Sequence, residues 1–379
     1  MVYLANSQLP YYTILVPLFK EAEVISSLVK ALNKLDYPKD KLQILLIIEA
    51  EDRKTQDAIT KINAPDHFKV VVVPYSYPQT KAKACNYAMS FATGEYICIY
   101  DAEDRPDANQ LKMVVSKFAE SDSNIICVQC RLCFYNGHEN LLTSFFEMEY
   151  QILFTFILPV AAHYNLPIPL GGTSNHFKTS VLREVGCWDS YNVTEDADLG
   201  LRIALAGYQT KMVLSYTHEE APIGIKAWIK QRNRWLKGYF HTCLIYLRYP
   251  GKVIKQFKPL GMLFFTYMML LSPLLTLLAP LLIILTLAIL LNICQLSYYQ
   301  NITFTLLSWI NFTTSSLYLL FTSYIMIKVT NKKYLDYKWL ILKFYYVLHV
   351  FSSIMAIYKL FKEPHKWDKT THGITKVKN

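Results

Sequence analysis

Residues 94–104 read GEYICIYDAED. Tyr96 to Tyr100 is an apolar run of the length of a short buried strand, and acidic side chains follow it directly. Asp101 and Glu103 stand two positions apart, so both can aim oxygen ligands at one hard cation, Mg²⁺ or Mn²⁺, while substrate phosphates fill its other positions. A cation held there would neutralise the charge that develops on a departing diphosphate.

Three more polar clusters follow the acidic one along the chain. They are Gly171 to Asn175, Thr194 to Asp196 and Gln231 to Trp235. Any one of these strings is weak evidence alone, because acidic triplets and Gly-Gly turns occur by chance. The acidic residues also have a non-catalytic alternative, a solvated turn in which Asp104 caps a helix that begins near Pro106. Four clusters in this order favour one composite active site.

The chain upstream of residue 94 alternates strands with helices. Tyr12 to Pro17, Gln43 to Ile48 and Phe68 to Val73 are short apolar runs, and Glu21 to Leu35 has helical periodicity. Strands separated by helices predict βαβ units and an α/β, Rossmann-like fold with a mostly parallel sheet. In such sheets a ligand lies beyond the carboxyl ends of the strands. Glu49 to Asp52 follow the second strand, so a nucleotide is expected there.

Composition and charge separate a soluble half from an apolar half. Of the 379 residues, 53% are hydrophobic, and Leu260 to Ile293 has no ionisable side chain except Tyr267. This stretch is longer than the roughly 20 residues that a bilayer crossing needs. The net charge of +10 does not indicate nucleic acid, because Lys and Arg crowd the ends of the hydrophobic segments. Residues 1–10 lack an apolar signal region. We predict an integral protein of a bacterial-type inner membrane with a cytosolic catalytic half.

The predicted domains follow from this division. A first crossing is expected from Leu260 to about Leu291, kinked by Pro273 and Pro280, and a second from about Thr303 to Ile327. Trp339 to Phe361 carries positive charge at both ends, which favours an amphipathic helix in the membrane interface. The expected boundaries are a catalytic domain at 1–224, an interfacial helix and linker at 225–259, two crossings at 260–327, an interfacial helix at 338–361 and a tail at 362–379.

The cysteines predict buried free thiols. Cys127, Cys130 and Cys133 are three apart, but no fourth ligand lies at a standard zinc spacing. Ile125 to Phe134 reads as a strand, in which residues three apart point to opposite faces. Thiols in a reducing compartment are therefore preferred to a metal site. His176 is likewise expected to be structural.

These motifs together resemble glycosyltransferase family 2, in the branch that holds cellulose and mannan synthases. The resemblance is carried by Thr80 to Ala88, Gly94 to Tyr96, Asp101 to Pro106, Gly171 to Phe177, Thr194 to Asp196, Glu219 to Pro222 and Gln231 to Trp235. It covers nearly all of the soluble half. It implies a GT-A nucleotide-sugar domain followed by a helical membrane region, and inverting, metal-dependent transfer from a nucleotide diphosphate sugar.

The resemblance also implies a donor site. Asp101 and Glu103 are expected to hold Mg²⁺ or Mn²⁺ and the diphosphate, and Lys83 to steady the phosphates. Glu103 departs from the Asp that is commoner in the wider family at the second metal position. Three acids compete for the contact with the base or ribose: Glu49, Glu51 and Asp52.

Asp196 is the predicted general base. In an inverting transfer one carboxylate takes the proton of the attacking hydroxyl while the leaving group departs on the opposite face. Asp196 comes just before a helix from Leu199 to Ala206 that Thr194 can cap, so it lies at the favourable end of the helix dipole. That placement is also the non-catalytic alternative, because acids at a helix start need no catalytic role.

The acceptor is expected near the last two clusters. Gln231, Arg234 and Trp235 share one face of a helix from Ile225 to about Tyr249. Trp235 would offer a platform for a sugar ring, and the resemblance assigns Arg234 to the donor diphosphate. An amphipathic interfacial helix is the alternative. The other predicted acceptor contacts are Gly172, Thr173 and Glu195.

The tail and the product complete the prediction. Residues 363–373 resemble the mobile segment that closes over bound nucleotide in the cellulose synthase branch, with Thr370 near the diphosphate, and a disordered basic tail is the alternative. The expected acceptor is a glycan or a lipid.

Three functions stay open: a membrane polysaccharide synthase, a transferase that glycosylates a lipid, and a truncated non-catalytic remnant. A partner subunit that completes a channel is a further expectation, because family members commonly carry helices before the catalytic domain.

Overall fold

The fold is built on one mixed β-sheet. The computed structural model describes residues 4–290 and 342–366, and between them residues 302–307, 309–310, 313–314, 316–318, 320–321, 324 and 338. Within these residues the sheet has eight strands. Their bounds are β1 Tyr12–Leu18, β2 Leu42–Glu49, β3 Phe68–Val73, β4 Tyr96–Ile99, β5 Arg105–Pro106, β6 Ile125–Phe134, β7 Asn175–Lys178 and β8 Gln209–Glu219.

The strand order separates a parallel part of the sheet from a mixed part. The order is β3-β2-β1-β4-β7-β6-β8-β5. The pairs among β1 to β4 are parallel, as the βαβ pattern predicted. The four-residue strand β7 is antiparallel to both β4 and β6, and β5 is antiparallel to β8. The predicted parallel arrangement therefore holds for β1 to β4 and for the β6–β8 pair, and not for the whole sheet.

Helices cover both faces of the sheet. Two π-helical turns, Leu153–Ile157 and Tyr267–Leu271, join α5 to α6 and α10 to α11. The helices are α1 Ile25–Asn33, α2 Arg53–Thr60, α3 Lys81–Ala88, α4 Gln110–Ala119, α5 Leu141–Ile152, α6 Leu158–His163, α7 Thr179–Glu184, α8 Glu195–Leu205, α9 Ile225–Tyr246, α10 Pro250–Thr266, α11 Ser272–Leu290 and α12 Leu342–Lys362.

Alternate positions of the strands form a hydrophobic core on each face of the sheet. In β4, Ile97 belongs to one core and Cys98 to the other, as expected for a strand buried on both sides. Each fully buried aliphatic side chain stabilises the fold by about 1.5–3 kcal/mol. Cys127 and Cys130 of β6 lie in opposite cores as free thiols. The predicted buried thiols are confirmed.

His176 of β7 is part of this core. Its Nδ1 lies 2.7 Å from the Tyr12 hydroxyl and its Nε2 lies 3.4 Å from Cys130 Sγ. Burial lowers the pKa of His176 to about 3, so the ring is neutral near pH 7. These contacts are structural, as predicted.

Among the residues that the structure describes, two helical stretches are long and apolar enough to cross a membrane by length and composition, Leu141–His163 and Pro250–Leu278. The first packs in the protein core: 61% of its most apolar window is buried, and the Glu147 carboxylate accepts a hydrogen bond from the Phe134 amide at 2.7 Å. The second overlaps the first predicted crossing. Its non-helical break lies at Lys258, with φ of 60°, because the following Pro259 disfavours helical backbone at the residue before it.

The C-terminal helix α12 packs on α9. Trp228 Nε1 of α9 donates a hydrogen bond to the Tyr345 hydroxyl of α12 at 3.1 Å. Beyond α12, the buried Lys237 Nζ donates to the carbonyls of Glu363 and Lys366 at 2.8 and 2.9 Å. The predicted second crossing, 303–327, falls largely outside the described residues, and the tail from 367 onward falls wholly outside them.

Candidate active site

A cleft opens at the carboxyl ends of β1, β2 and β4. Pro17, Glu49 and Asp101 stand at or just after the ends of these strands and line it. Side chains of α8 and α9 also line it. Most of the predicted site residues meet there: Glu49, Asp101, Glu103, Gly172, Thr173, Glu195, Asp196, Gln231, Arg234 and Trp235. Glu51 and Lys83 are not among the lining residues, and Thr370 lies outside the described residues.

Asp104 anchors the acidic turn from below. Its carboxylate accepts hydrogen bonds from the Asp101 amide at 2.7 Å and from the Thr173 hydroxyl, and the residue is 1% exposed. The following helix begins at Gln110 with Asn109 at its N-cap. The alternative of a solvated turn with Asp104 as the cap is therefore wrong. The Thr173 hydroxyl is engaged in this contact, which ties the acidic turn to the Gly-Gly turn before β7.

Buried carboxyl groups crowd around the end of β4. Burial, followed by the charge of Asp101, raises the pKa of Glu103 and Asp104 well above the usual range. Burial and then Asp104 do the same for Glu219 of β8. A cation bound beside these groups would favour their charged forms and lower their pKa.

This carboxyl cluster fits a hard divalent cation. Asp104 Oδ1 and Glu219 Oε1 are buried without a hydrogen-bond partner among the described residues, and oxygen donors suit Mg²⁺ or Mn²⁺. No group of three or more His, Cys, Asp or Glu side chains in the described part of the chain is already arranged to hold a metal ion. A cation here would therefore need substrate oxygens to complete its ligands.

Lys81 occupies the place that we expected for Lys83. Lys81 Nζ pairs with Asp101 and donates to the Gly172 carbonyl at 2.7 Å. Burial lowers the pKa of Lys81, but the Asp101 and Glu195 carboxylates outweigh burial and leave that pKa raised. Lys83 Nζ instead pairs with Glu49 at 2.9 Å. Residues two apart on a helix do not face the same way, so only one of the two lysines reaches the cleft.

Among the three acids after β2, Glu49 reaches the cleft. It is 5% exposed and lines the cleft wall. Glu51 is exposed and accepts a hydrogen bond from the Gln79 amide. Asp52 caps α2, since its side chain accepts from the Thr55 amide at 3.3 Å. The structure thus gives Asp52 a local structural contact and directs Glu49 toward the ligand space.

Asp196 and Gly172 meet inside the cleft. A Cβ atom on Gly172 would lie 3.2 Å from Asp196 Oδ2, so the glycine leaves room beside the carboxylate. Asp196 Oδ1 accepts a hydrogen bond from the Ala197 amide at 2.8 Å. Burial raises the pKa of Asp196, and the Ala197 amide and the Arg234 charge offset that rise only in part.

The helix that carries Asp196 starts earlier than predicted. α8 begins at Glu195 with Thr194 at the N-cap. The Thr194 hydroxyl donates to Asn192 Oδ1 at 3.3 Å and makes no capping bond to the helix, so the predicted Thr194 cap is wrong. A Cβ atom on Gly238 would lie 2.3 Å from Thr194 Oγ1, which shows that α9 packs directly on this side chain. Burial and then Asp196 raise the pKa of Glu195 to about 7.

The face of α9 predicted from helical spacing is turned toward the cleft. Gln231, Arg234 and Trp235 all line it. Gln231 Oε1 is buried without a hydrogen-bond partner among the described residues, and Arg234 Nη1 donates to the Val193 carbonyl at 3.1 Å. The Trp235 ring stacks on Tyr150, with ring centroids 6.0 Å apart. One helix thus presents an amide, a guanidinium and an aromatic ring to the same space.

A comparison with protein-family models identifies the family of this chain. Residues 96–358 match the model described as "Glycosyl transferase family group 2". The chain belongs to this glycosyltransferase family. The match covers more than half of the chain and runs from β4 into α12, so it includes the acidic turn, Asp196 and Trp235. The resemblance inferred from the motifs is confirmed.

Curated relatives of this family 2 glycosyltransferase are longer than the chain. It is 28% identical over 266 residues to the probable glycosyltransferase YdaM of Bacillus subtilis (strain 168), covering 69% of this chain and 63% of that protein. It is 28% identical over 243 residues to glucomannan 4-beta-mannosyltransferase 1 of Oryza sativa subsp. japonica, covering 62% of this chain and 46% of that protein. The chain thus spans about half to two thirds of these relatives.

A solved structure shares the fold of the glycosyltransferase. Mannosyltransferase PcManGT from Pyrobaculum calidifontis, in complex with GDP-Man and Mn2+, superposes with a TM-score of 0.63 at 20% identity. The superposition covers 94% of this chain and 88% of that chain. The predicted GT-A type of α/β fold is therefore confirmed.

Sequence reasoning gave no site role to Lys81, Tyr150 and Glu219, which line the cleft of the family 2 glycosyltransferase. Glu219 ends β8, so the strand-end argument would have found it had Gln209–Glu219 been recognised as a strand. Lys81 stands next to the N-cap Thr80, which places it at the start of α3 beside the strand ends. Tyr150 had no local signal, because its position depends on how α5 packs against α9.

Proposed function

We propose that this enzyme transfers a sugar, with inversion, from a nucleotide diphosphate sugar to a growing polysaccharide at a membrane. The observation that carries the proposal is the convergence at Gly172. Its carbonyl accepts a hydrogen bond from Lys81 at 2.7 Å, and its α-carbon lies against the Asp196 carboxylate. Lys81 in turn pairs with Asp101. Gly172 therefore lies between the Lys81–Asp101 pair, which is suited to a diphosphate and its cation, and the proposed base Asp196.

The donor diphosphate is proposed to bind beside Asp101, Glu103 and Lys81. Asp101 and Glu103 would hold Mg²⁺ or Mn²⁺ together with phosphate oxygens, since such cations keep positions for substrate ligands. When bound, the cation would act as a Lewis acid that screens the charge of the leaving diphosphate. Lys81 would pair with a phosphate, the role that the resemblance gave to Lys83. Glu49 is the proposed acid for the base or ribose.

Asp196 is the proposed general base. Its raised pKa suits the role, because a base is most effective when its pKa approaches the operating pH. The space left by Gly172 beside Asp196 Oδ2 is where an acceptor hydroxyl would approach. Glu195 adjoins it and is kept partly protonated near pH 7 by its own raised pKa.

The acceptor is proposed to lie on α9. Trp235 supplies a flat apolar surface for a sugar ring, and the buried Gln231 Oε1 supplies an acceptor for one sugar hydroxyl, which would satisfy an otherwise unpaired polar atom. Arg234 is proposed to reach the donor diphosphate. A truncated non-catalytic remnant would not be expected to keep this complete set of side chains around one cleft.

A GDP-linked mannose is the proposed donor. The support is that relatives are named glucomannan 4-beta-mannosyltransferases and that the similar solved structure is a mannosyltransferase in complex with GDP-Man and Mn2+. The same relatives favour a polysaccharide as the product over a glycolipid.

A bacterial-type inner membrane is the proposed location, with the catalytic cleft in the cytosol. The support is apolar surface that would otherwise face water. Leu260 and Leu263 of α10 are 55% and 63% exposed, and Tyr358 and Phe361 of α12 are 58% and 82% exposed. Large exposed apolar patches of this kind mark lipid or protein contacts. A partner subunit that completes a channel remains part of the proposal.

The test is a donor panel with membranes that contain the enzyme. Membranes are incubated with radiolabelled GDP-, UDP- and ADP-linked sugars, and label is measured in long chains and in organic-soluble lipid. Label from GDP-mannose in long chains supports the proposal, whereas label in lipid supports the lipid acceptor. Membranes with Asp196→Asn are the control. Equal labelling by this variant and the wild type would contradict the proposed site.

A further inference from the structure

Behind the Trp235 ring lies a buried polar group that the proposed reaction does not use. Arg232 of α9 is 8% exposed. Its Nη1 donates to Glu149 Oε1 of α5 at 2.9 Å, and its Nη2 donates to the other oxygen of that carboxylate. The guanidinium therefore forms a two-pronged pair, which fixes its plane as well as its position.

The C-terminal helix supplies the third member of this group. The Tyr345 hydroxyl of α12, which is 2% exposed, donates to Glu149 Oε2 at 2.7 Å. The Tyr345 hydroxyl oxygen in turn accepts hydrogen bonds from Trp228 Nε1 at 3.1 Å and from Arg232 Nη2 at 3.4 Å. One hydroxyl thus joins three side chains, and α12 is tied to α5 and α9 at this point.

The Arg232 guanidinium contacts aromatic rings, one of which lines the cleft. It lies 4.8 Å from the centroid of the Trp235 ring and 4.4 Å from that of Phe146. The Trp235 ring also packs against the rings of Phe146 and Tyr150, at centroid distances of 5.9 and 6.0 Å. A cation held against a ring stabilises that ring in one orientation, most strongly when both are shielded from water.

We propose that Arg232, clamped by Glu149 and Tyr345, is a positioning residue that fixes the Trp235 ring in the cleft, so that α12 forms part of the acceptor site. Arg232 touches no substrate in this arrangement. Lys cannot replace it, because an ammonium neither stacks flat on a ring nor pairs with both carboxylate oxygens. The role in acceptor binding rests on the proposed function, whereas the positioning of Trp235 does not.

The first test measures the Trp235 ring directly. Protein is labelled with fluorotryptophan, and the fluorine NMR resonance of Trp235 is assigned as the one lost in Trp235→Phe. Tyr345→Phe removes a single oxygen and leaves the ring, so the fold should be kept. We expect this variant and Arg232→Lys to shift or broaden the Trp235 resonance. The matched control is Tyr358→Phe, on the same helix but 58% exposed, which should leave it unchanged. An unchanged resonance in Tyr345→Phe would overturn the proposal.

The second test measures acceptor use, with GDP-mannose as donor and a β-linked mannan oligosaccharide as acceptor. Tyr345→Phe should raise the acceptor KM about fivefold, the usual worth of one buried hydrogen bond. Donor KM and donor hydrolysis without acceptor should stay within about twofold. If the acceptor KM, the donor KM and donor hydrolysis were all impaired by the same factor, the role of Tyr345 would be merely structural and the link to the acceptor would be overturned.

The two claims fail separately. If Trp235→Ala leaves the acceptor KM unchanged, the acceptor site proposed above is wrong, and the resonance of Trp235 in Tyr345→Phe still decides whether Arg232 and Tyr345 position the ring. If Trp235→Ala raises the acceptor KM and Tyr345→Phe does not, the proposed function stands and the inference about α12 is overturned.

Discussion

The proposed donor side and the proposed acceptor side of the cleft are assembled in different ways. The donor side consists of residues placed directly after β1, β2 and β4, which are neighbours in the sheet. The proposed acceptor side combines α5, α8, α9 and α12, and its contacts link Glu149 to Arg232 and Tyr345. Parallel strand ends meet at one edge by construction, whereas the helices meet only through tertiary packing. We therefore expect donor-side changes to remove the reaction and acceptor-side changes to alter affinity.

The largest effect is expected at the carboxyl ends of the strands. Asp101→Asn should lower both transfer and donor hydrolysis by about 10³-fold or more, because a metal ion contributes several kcal/mol to stabilising the leaving charge. Chelation should have the same effect on the wild type. Asp57→Asn, an exposed change on α2, is the control. Full activity of Asp101→Asn in excess chelator would refute the metal site.

The next largest effect is expected at the residue where the two sides meet. Asp196→Asn should lower turnover by roughly 10²- to 10⁴-fold, the usual contribution of a positioned base, while donor binding measured by calorimetry stays near normal. A large loss of donor affinity with turnover preserved would instead place Asp196 on the donor side.

The pH profile should show the same group. The base must be deprotonated, and burial raises the pKa of Asp196, so turnover should rise with pH and reach half its maximum at a pH above the ordinary pKa of an aspartate. Glu195, with a pKa of about 7, adds negative charge beside Asp196 as it ionises. Glu195→Gln should therefore move the acid limb of kcat to lower pH. A limb that stays in place would show that the two groups are not coupled.

The two lysines of α3 test the donor side more finely. Lys81→Met should raise the donor KM on the order of 10- to 100-fold, the worth of a hydrogen bond to a charged group. Lys83→Met should leave the buried Glu49 unpaired, which costs about 3–5 kcal/mol of stability. Its main effect should be a lower midpoint of thermal unfolding. A larger donor KM in Lys83→Met than in Lys81→Met would restore Lys83 to the phosphate role.

The smallest effect is expected at the C-terminal segment. A chain ending at Phe361 should fold but transfer a few times more slowly, because a closing segment adds contacts and excludes water only once the donor is bound. A chain ending at Lys366 keeps both carbonyls that accept hydrogen bonds from Lys237. Comparing the two chains distinguishes the effect of losing the tail from that of losing these hydrogen bonds. Undiminished turnover in both chains would contradict a closing tail. A reporter on Asn379 is expected in the cytosol.

The donor side could be predicted from sequence because its signals are local. Phe68–Val73 and Ile125–Phe134 have the bounds read from the apolar runs, and Asp101 follows its strand as expected. The phosphate contact was assigned to Lys83, whereas Lys81 lines the cleft, because which of the two faces the cleft depends on the exact rotation of α3 about its axis. The alternative of Asp104 as a helix cap could not be rejected from sequence, because its partner Thr173 is distant in the chain and approaches through β7.

The acceptor side was predicted only where one helix carried the whole pattern. The shared face of Gln231 and Trp235 follows from helical spacing, and the structure turns it to the cleft. Thr194 was expected to cap α8, but the packing of α9 on its side chain, absent from any local pattern, leaves it bonded to Asn192. Arg232 and its partners in α5 and α12 gave no signal, because the contacts join residues 83 and 113 positions apart in the chain.

The close approach of α9 to Thr194 also limits how the enzyme can move. A Cβ atom on Gly238 would lie 2.3 Å from Thr194 Oγ1, so no side chain separates α9 from the start of α8, and close-packed elements of this kind resist sliding. The distance between the Asp196 carboxylate and the Trp235 ring should then stay constant from one turnover to the next. We therefore expect movement within the cleft to come from the turns that carry Asp101 and Gly172.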